Sequence, residues 1–202
     1  FDVRATKTGM LARPDTVERV GELAREGLLA RLVVDPVLVA SSGDALMADG
    51  GVDAYRVALF PYAEIVTPNL REAAVLCGVE LADIADLDDV AALARTLVAM
   101  GPRYALVKGG HLPRGTTADR APDVLASADE LVVLDAPRVA THNDHGTGCS
   151  LSAAIAAGLG LERDVLDATR DAKSFVLAAL LGASTWRLGQ GRGPIDHLGW
   201  GE

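Results

Sequence analysis

Short apolar runs that end in polar or glycine-rich residues alternate with helical runs along most of the chain, and that alternation restricts the fold more than any other feature. Leu32-Val33-Val34 ends at Asp35-Pro36, Ile65-Val66 at Thr67-Pro68-Asn69, and the run 104–107 at Lys108-Gly109-Gly110. Positions 3–6 read as a further strand. Continuous apolar runs of this kind suit strands covered on both faces. Residues 14–29 bring Val17, Val20, Leu23, Ala24 and Leu28 near one helix face, with Pro14 suited to a first turn. Further helices are expected over 53–60, over 70–77 before Gly78, over 88–100, over 148–158 and over 165–181. Residues 123–127 and 130–134 read as a hairpin turning near Ala128-Asp129, residues 114–122 as a polar loop, and the tail from Gly182 as glycine-rich loop. The pattern implies a single α/β domain, a mainly parallel sheet with helices on both faces. Ligands of such sheets gather beyond the carboxyl ends of the strands, where the three polar signatures lie together.

Composition narrows the partners. Hydrophobic residues make up 50% and charged residues 23%, enough for a sizeable core, and with aromatics at 4% that core is aliphatic. Basic residues number 19 against 28 acidic ones, a formal net charge of -9 that repels a phosphate backbone at long range. Nucleic acid is therefore not expected as a partner, and an anionic substrate would need a local positive field. No apolar run is long enough to span a bilayer, so a membrane role is not expected. Cys77 and Cys149 form no CxxC pair, which makes a reducing cytoplasm the expected setting.

The stretch Asn143-Asp144-His145-Gly146-Thr147-Gly148-Cys149, followed by an apolar helix, carries the most chemistry. Small residues let the backbone turn tightly against a ligand, and the free N–H groups of a helix start attract anions. A plain glycine turn would look similar at Gly146 and Gly148. Cys149 is less usual there, and stands where a helix dipole favours negative charge, so it is a candidate base or hydrogen-bond partner for a hydroxyl. His142 and His145 flank the turn without the acidic or thiol neighbours of a zinc site.

These residues, read as HGTGCSLSAA, resemble the signature of hydroxymethylpyrimidine kinase/hydroxymethylpyrimidine phosphate kinase in the ribokinase-like superfamily. Most sugar kinases of that superfamily carry Asp where Cys149 stands. Lys7-Thr8-Gly9-Met10-Leu11 resembles the family's KxGML strand end, and the segment from Val34 to Asp44 its DPVMVAxSGD stretch. Thr67-Pro68-Asn69 with Glu72 is similar to the superfamily's NxxE pattern, though Asn69 and Glu72 also have capping-box spacing. Val107-Lys108-Gly109-Gly110-His111 resembles VKGGH, residues 171–176 the AKxFV helix, and the end from Gly189 to His197 the GxGxGPVNH segment.

The resemblance implies a three-layer ribokinase-like fold and an ATP- and Mg²⁺-dependent kinase of thiamine biosynthesis. It places Cys149 and Lys108 in catalysis, with the backbone of Gly146, Thr147 and Gly148 as an anion hole. Asp35, Asn69, Glu72, Lys108 and Lys173 are implied at ATP and metal, with Asp35 and Glu72 reaching Mg²⁺ through water. Met10 and Val37 are implied on the pyrimidine ring, as is Cys149. A small-molecule substrate and a homodimer are further implications. The family begins with a strand and a glycine-rich AGIQAD-like segment that this chain does not show, so an N-terminally incomplete sheet is expected. A pyridoxal kinase of the same Cys-containing subgroup and a non-catalytic pyrimidine or nucleotide sensor are the competing readings; an Asp at position 149 would have favoured a sugar kinase.

Overall fold

A parallel core of four strands carries the site, and an antiparallel hairpin extends it. The computed structural model describes residues 1–39, 46–110, 112 and 119–200. Strands β1 (Thr6–Thr8), β2 (Leu32–Val34), β3 (Ile65–Val66) and β4 (Tyr104–Lys108) lie side by side in parallel. Strands β5 (Asp123–Ala126) and β6 (Leu131–Leu134) continue the sheet antiparallel, in the order β1 to β6. The segment 40–45, the residues 111 and 113–118, and with them part of the motif resemblances at Ala40 to Asp44 and at His111 and part of the expected 114–122 loop, lie outside the described residues.

Successive strand residues face opposite layers. Leu32, Val34, Val66, Ala105 and Val107 join one core with Val17, Tyr55, Leu59, Leu76 and Leu97. Val33, Ile65, Leu106 and Leu125 join the other with Leu151, Ile155, Leu159 and Ala168. The first layer is built by α1 (Pro14–Arg25), α2 (Gly51–Ala54), α3 (Leu70–Cys77) and α4 (Leu87–Ala99), and the second by α5 (Thr147–Gly160) and α6 (Val165–Gly182). The arrangement is the expected three-layer α/β/α sandwich. Among the described residues no helix is long and apolar enough to cross a membrane.

Helix starts follow their caps. Asn69 and Glu72 form a reciprocal capping box on α3, Asp86 and Asp89 do so on α4, and Asp164 accepts from the Asp167 N–H on α6. The structure departs from expectation in several places. β1 occupies 6–8 rather than 3–6, because the three residues of β2 pair with Thr6, Lys7 and Thr8. α1 ends at Arg25 rather than at 29, because Gly27 turns left-handed at φ 75° and its N–H and that of Leu28 close back on Ala24 and Leu23. The helix expected over 53–60 starts at Gly51 and continues through a π-helical turn, Tyr55–Leu59, into a 3-10 turn, Phe60–Tyr62.

Gly21 lets α1 approach that π-helical turn, since a Cβ there would overlap the Ala58 carbonyl. Gly21→Ala would gain about 1 kcal/mol of helix propensity. A backbone oxygen cannot move aside by changing rotamer, and overpacking of this kind costs roughly 1–3 kcal/mol. We expect a net loss of stability, read as a lower urea midpoint with unchanged slope; a higher midpoint would contradict the close approach.

Candidate active site

The carboxyl ends of β1 to β4 and the start of α5 meet at Asp35, which is 2% exposed. The Lys108 ammonium donates to its Oδ1 at 3.3 Å, and the Lys7 ammonium lies 4.0 Å from its Oδ2. Ser152 Oγ, on the inner face of α5, stands 3.1 Å from Oδ2, and Thr67 Oγ1 stands 3.5 Å from Oδ1. A tight turn follows, in which the Val37 N–H donates to the Asp35 carbonyl at 2.9 Å. The chain thereby surrounds a buried charge with two cations and two hydroxyls, as burial of a carboxylate requires.

α5 begins without a side-chain cap, at Gly146 with φ 90°. A left-handed residue is needed at that point, and glycine adopts it without a Cβ penalty. The Thr147 N–H turns back to the Asp144 carbonyl at 3.4 Å, which leaves the N–H groups of Gly148 and Cys149 for another acceptor. Lys108 reaches the same place, for a Cβ built on Gly148 would lie 3.1 Å from its Nζ. The carboxyl-terminal tail pins the turn. Asn143 Nδ2 donates to the carbonyls of Ala183 at 2.7 Å and Trp186 at 2.9 Å, and Asp144 is paired with Arg192. The His145 N–H donates to the Gly193 carbonyl at 3.0 Å.

The glycine loop after β4 is held from several sides. The Lys108 N–H donates to the Pro68 carbonyl at 3.0 Å, the Gly109 N–H to Asp123 Oδ1 at 2.9 Å, and Arg138 Nη1 to the Gly110 carbonyl at 2.6 Å. A side chain at Gly109 would overlap the Pro122 carbonyl. Beside this loop, Glu72 Oε2 accepts the Asn69 N–H at 2.8 Å while Asn69 Oδ1 accepts the Glu72 N–H at 3.0 Å. Glu72 is 3% exposed, and burial pushes its carboxyl up to about 7, opposed by the nearby Lys108 and reinforced by Asp35. Among the described residues the buried Tyr55 hydroxyl has no hydrogen-bond partner; burial raises it, and the charges of Asp35 and Glu72 add to that.

Of the residues marked from sequence, Asp35, Asn69, Glu72, Lys108 and the turn from Gly146 to Gly148 come together. Cys149 is exposed at the first turn of α5. Val37 is half-buried next to Asp35, and Met10 is exposed beyond the end of β1. Lys173 is bonded to Asp123 at 2.6 Å and to the Ala121 carbonyl at 2.8 Å, so its ammonium already has protein partners. Sequence reasoning passed over Lys7, Ser152, Asp123 and Arg138. Lys7 ends a strand as Lys108 does, and Asp123 opens a strand otherwise apolar; those were the available signals.

An open groove of about 510 Å³ runs from the turn along α5, lined by Cys149, Ser150, Ala153, Ala157, Phe175 and His197. Ser150 Oγ and His197 Nε2 are 2.8 Å apart across its edge. A second hollow of about 240 Å³, between Tyr104, Leu125, Val132 and Val165, lies at the opening end of β4 and contains none of the marked residues.

Comparison with known proteins fits this geometry. The family profile described as phosphomethylpyrimidine kinase matches residues 1–196. The hydroxymethylpyrimidine/phosphomethylpyrimidine kinase of Rhizobium meliloti (strain 1021) is 45% identical over 199 residues, 98% of this chain and 72% of that protein. Among solved structures, the pyridoxal kinase of Staphylococcus aureus in complex with AMP-PCP superposes with a TM-score of 0.84 at 30% identity, covering 97% of this chain and 68% of that one. The phosphomethylpyrimidine kinase of Clostridium difficile 630 gives a TM-score of 0.72 at 29% identity, covering 88% of this chain and 69% of that one.

The raised Glu72 carboxyl has a consequence for stability. Unfolded, Glu72 titrates near its ordinary 4.5; folded, it does so at about 7. Between those values the folded state keeps a proton that the unfolded state has released, so this group makes stability fall as pH rises through the window. Glu72→Gln keeps an acceptor for the Asn69 N–H but cannot ionise. Between about pH 5 and about pH 7.5 the wild type should lose more unfolding free energy than the variant, by up to roughly 3 kcal/mol. Equal pH slopes in urea titrations would contradict the assignment.

Proposed function

The chain belongs to the phosphomethylpyrimidine kinase family, and on that premise we propose that it transfers the γ-phosphoryl group of Mg-ATP to the hydroxymethyl oxygen of the thiamine pyrimidine and then to the resulting monophosphate. The observation that carries this reading is the Lys108 ammonium, placed between Asp35 and the uncapped first turn of α5. A cation and the N–H groups of Gly148 and Cys149 at one point form a local positive field in a chain of net charge -9.

In this reading the backbone of Gly146, Thr147, Gly148 and Cys149 cups the phosphoryl oxygens while Lys108 neutralises their charge. The acceptor oxygen bonds to the γ-phosphorus, the bond to the bridging oxygen breaks, and ADP leaves. Cys149 stands at the acceptor hydroxyl and takes or steers its proton. Met10 and Val37 face the pyrimidine ring. The groove along Ala153, Ala157 and Phe175 accommodates the flat nucleotide base, with the phosphates towards the turn. Asn69 and Glu72 lie beside Asp35. Two carboxylates are too few for an all-protein cage but suit Mg²⁺, which keeps several waters. Asp35 and Glu72 would hold it through that water shell, and the ion would supply charge neutralisation on the phosphates. Lys173 borders the nucleotide side through Asp123. Homodimerisation and a cytoplasmic setting belong to the same reading.

Pyridoxal is the rival acceptor, and the fold match to pyridoxal kinases makes it worth testing. The phosphomethylpyrimidine kinase family match over residues 1–196 and the 45% identity to a hydroxymethylpyrimidine/phosphomethylpyrimidine kinase favour the pyrimidine.

ADP release should be measured with the pyrimidine, its monophosphate and pyridoxal in parallel, using protein expressed from its own start codon. Turnover on both pyrimidines exceeding that on pyridoxal is expected; the reverse order would replace the substrate assignment. Phosphoryl transfer depends mainly on positioning and electrostatics, with a smaller share for proton removal. Lys108→Ala should therefore lower turnover at least as much as Cys149→Ala, and a larger loss from the cysteine change would reject that ordering.

A further inference from the structure

The hairpin sets a second buried carboxylate directly beside the phosphoryl lysine. Lys108 and Asp123 are partners across the antiparallel β4–β5 pair, and residues directly opposite in such a pair share one face of the sheet. Asp123 is 7% exposed. Its Oδ1 accepts the Gly109 N–H at 2.9 Å, and its Oδ2 accepts the Lys173 ammonium at 2.6 Å. The Lys173 side chain, reaching in from α6, is itself only 14% exposed.

We propose that Lys173 is a positioning residue: by neutralising Asp123 it leaves the Lys108 ammonium to Asp35 and the first turn of α5. The proposal rests on the kinase reading, in which that turn receives the phosphoryl group. A buried carboxylate deprived of its cation takes up a proton or, where it stays ionised, draws the nearest other cation. For Asp123 that cation is Lys108, whose charge it already senses. The two carboxylates are not equally placed in this competition. Asp35 would keep Lys7 at 4.0 Å if Lys108 left. Asp123 has no such reserve among its described ion pairs, which hold Lys173 alone. Loss of Lys173 thus favours a swing of Lys108 towards Asp123 and away from α5. The Gly109 N–H on Oδ1 transmits any shift of Asp123 straight to the loop that carries Lys108.

The test compares wild type, K173M, K173R, D123N and K173M/D123N, with Mg-ATP and the hydroxymethylpyrimidine, in protein expressed from its own start codon. Wild-type turnover tests the kinase reading separately; its absence would sink that reading before any variant is compared. K173M should lose about 100-fold in kcat, the scale of removing one charge-stabilising donor, while KM for ATP changes less than about threefold. K173R should stay within about fivefold of wild type, because it keeps the cation. K173M/D123N should recover at least about tenfold over K173M, because a neutral amide no longer draws Lys108 while it still accepts the Gly109 N–H. A raised KM for ATP in K173M that D123N fails to relieve would mean that Lys173 touches the nucleotide directly and would overturn the proposal. Unchanged kcat in K173M would overturn it too. If K173M does not fold, the double variant decides alone: folded by thermal melting but without turnover, it rejects the positioning role.

Discussion

Asp35 is a charge taken out of water, and the elements around it are placed to make that tolerable. An isolated ionised carboxylate cannot be buried without partners. Its partners come from β1 as Lys7, from just past β3 as Thr67, from β4 as Lys108 and from α5 as Ser152. Each sits at a strand end or on a helix face whose position is fixed by the aliphatic cores above and below the sheet. The strand register therefore does more than pair backbones. It brings two ammonium groups, from β1 beside β2 and from β4 beyond β3, towards the one acidic side chain that follows β2.

Under the proposed kinase reading, this shared carboxylate lets the same few residues serve structure and chemistry together. Lys108 is tied to Asp35 and yet stands against Gly148 at the start of α5. A fully exposed lysine would have to be ordered at each encounter, at a side-chain entropy cost of about 1.5–2 kcal/mol. Here the cost is met on folding. The capping box of α3 has the same double character. Asn69 and Glu72 secure a helix start, and the bonds that do so hold the Glu72 side chain in a fixed orientation beside Lys108.

Much of this was legible in the residues and some was not, for a physical reason. Strand ends such as Asp35-Pro36, Thr67-Pro68-Asn69 and Lys108-Gly109-Gly110 announce themselves because polarity changes abruptly where an apolar strand leaves the core. The helix starting at Thr147 was legible, one residue late, from the glycine turn at Gly146 and Gly148, and α3 from the Asn69–Glu72 spacing. Partner choice was not legible, because it depends on residues remote in the chain. Ser152 and Asp35 are separated by 117 positions, and a serine in an apolar helix carries no sign of what it will face. Lys173 illustrates the same limit: the motif around it pointed to the nucleotide, whereas its nearest partner, Asp123, lies 50 positions earlier on a strand that pattern alone identified only as half of a hairpin. The start of β1 was misplaced because short parallel strands extend only as far as their neighbour permits, and β2 offers three residues.

The contrast between global and local charge completes the physical picture. A net charge of -9 repels nucleotides at a distance, but at physiological ionic strength that repulsion fades over a Debye length of about 8 Å. Within a site a ligand can come within about 4 Å of a charge, where two unit charges at an effective dielectric near 20 interact by about 4 kcal/mol. The local field therefore outweighs the distant one wherever a ligand has already entered. α3, α4 and α6 use side-chain caps, whereas α1, α2 and α5 do not, and α5 begins beside Lys108. Glycine in that position costs only a few tenths of a kcal/mol relative to a good cap. For so little stability the fold keeps the start of α5 without a side-chain cap beside Lys108, and a helix start beside a cation is what the proposed phosphoryl site draws on.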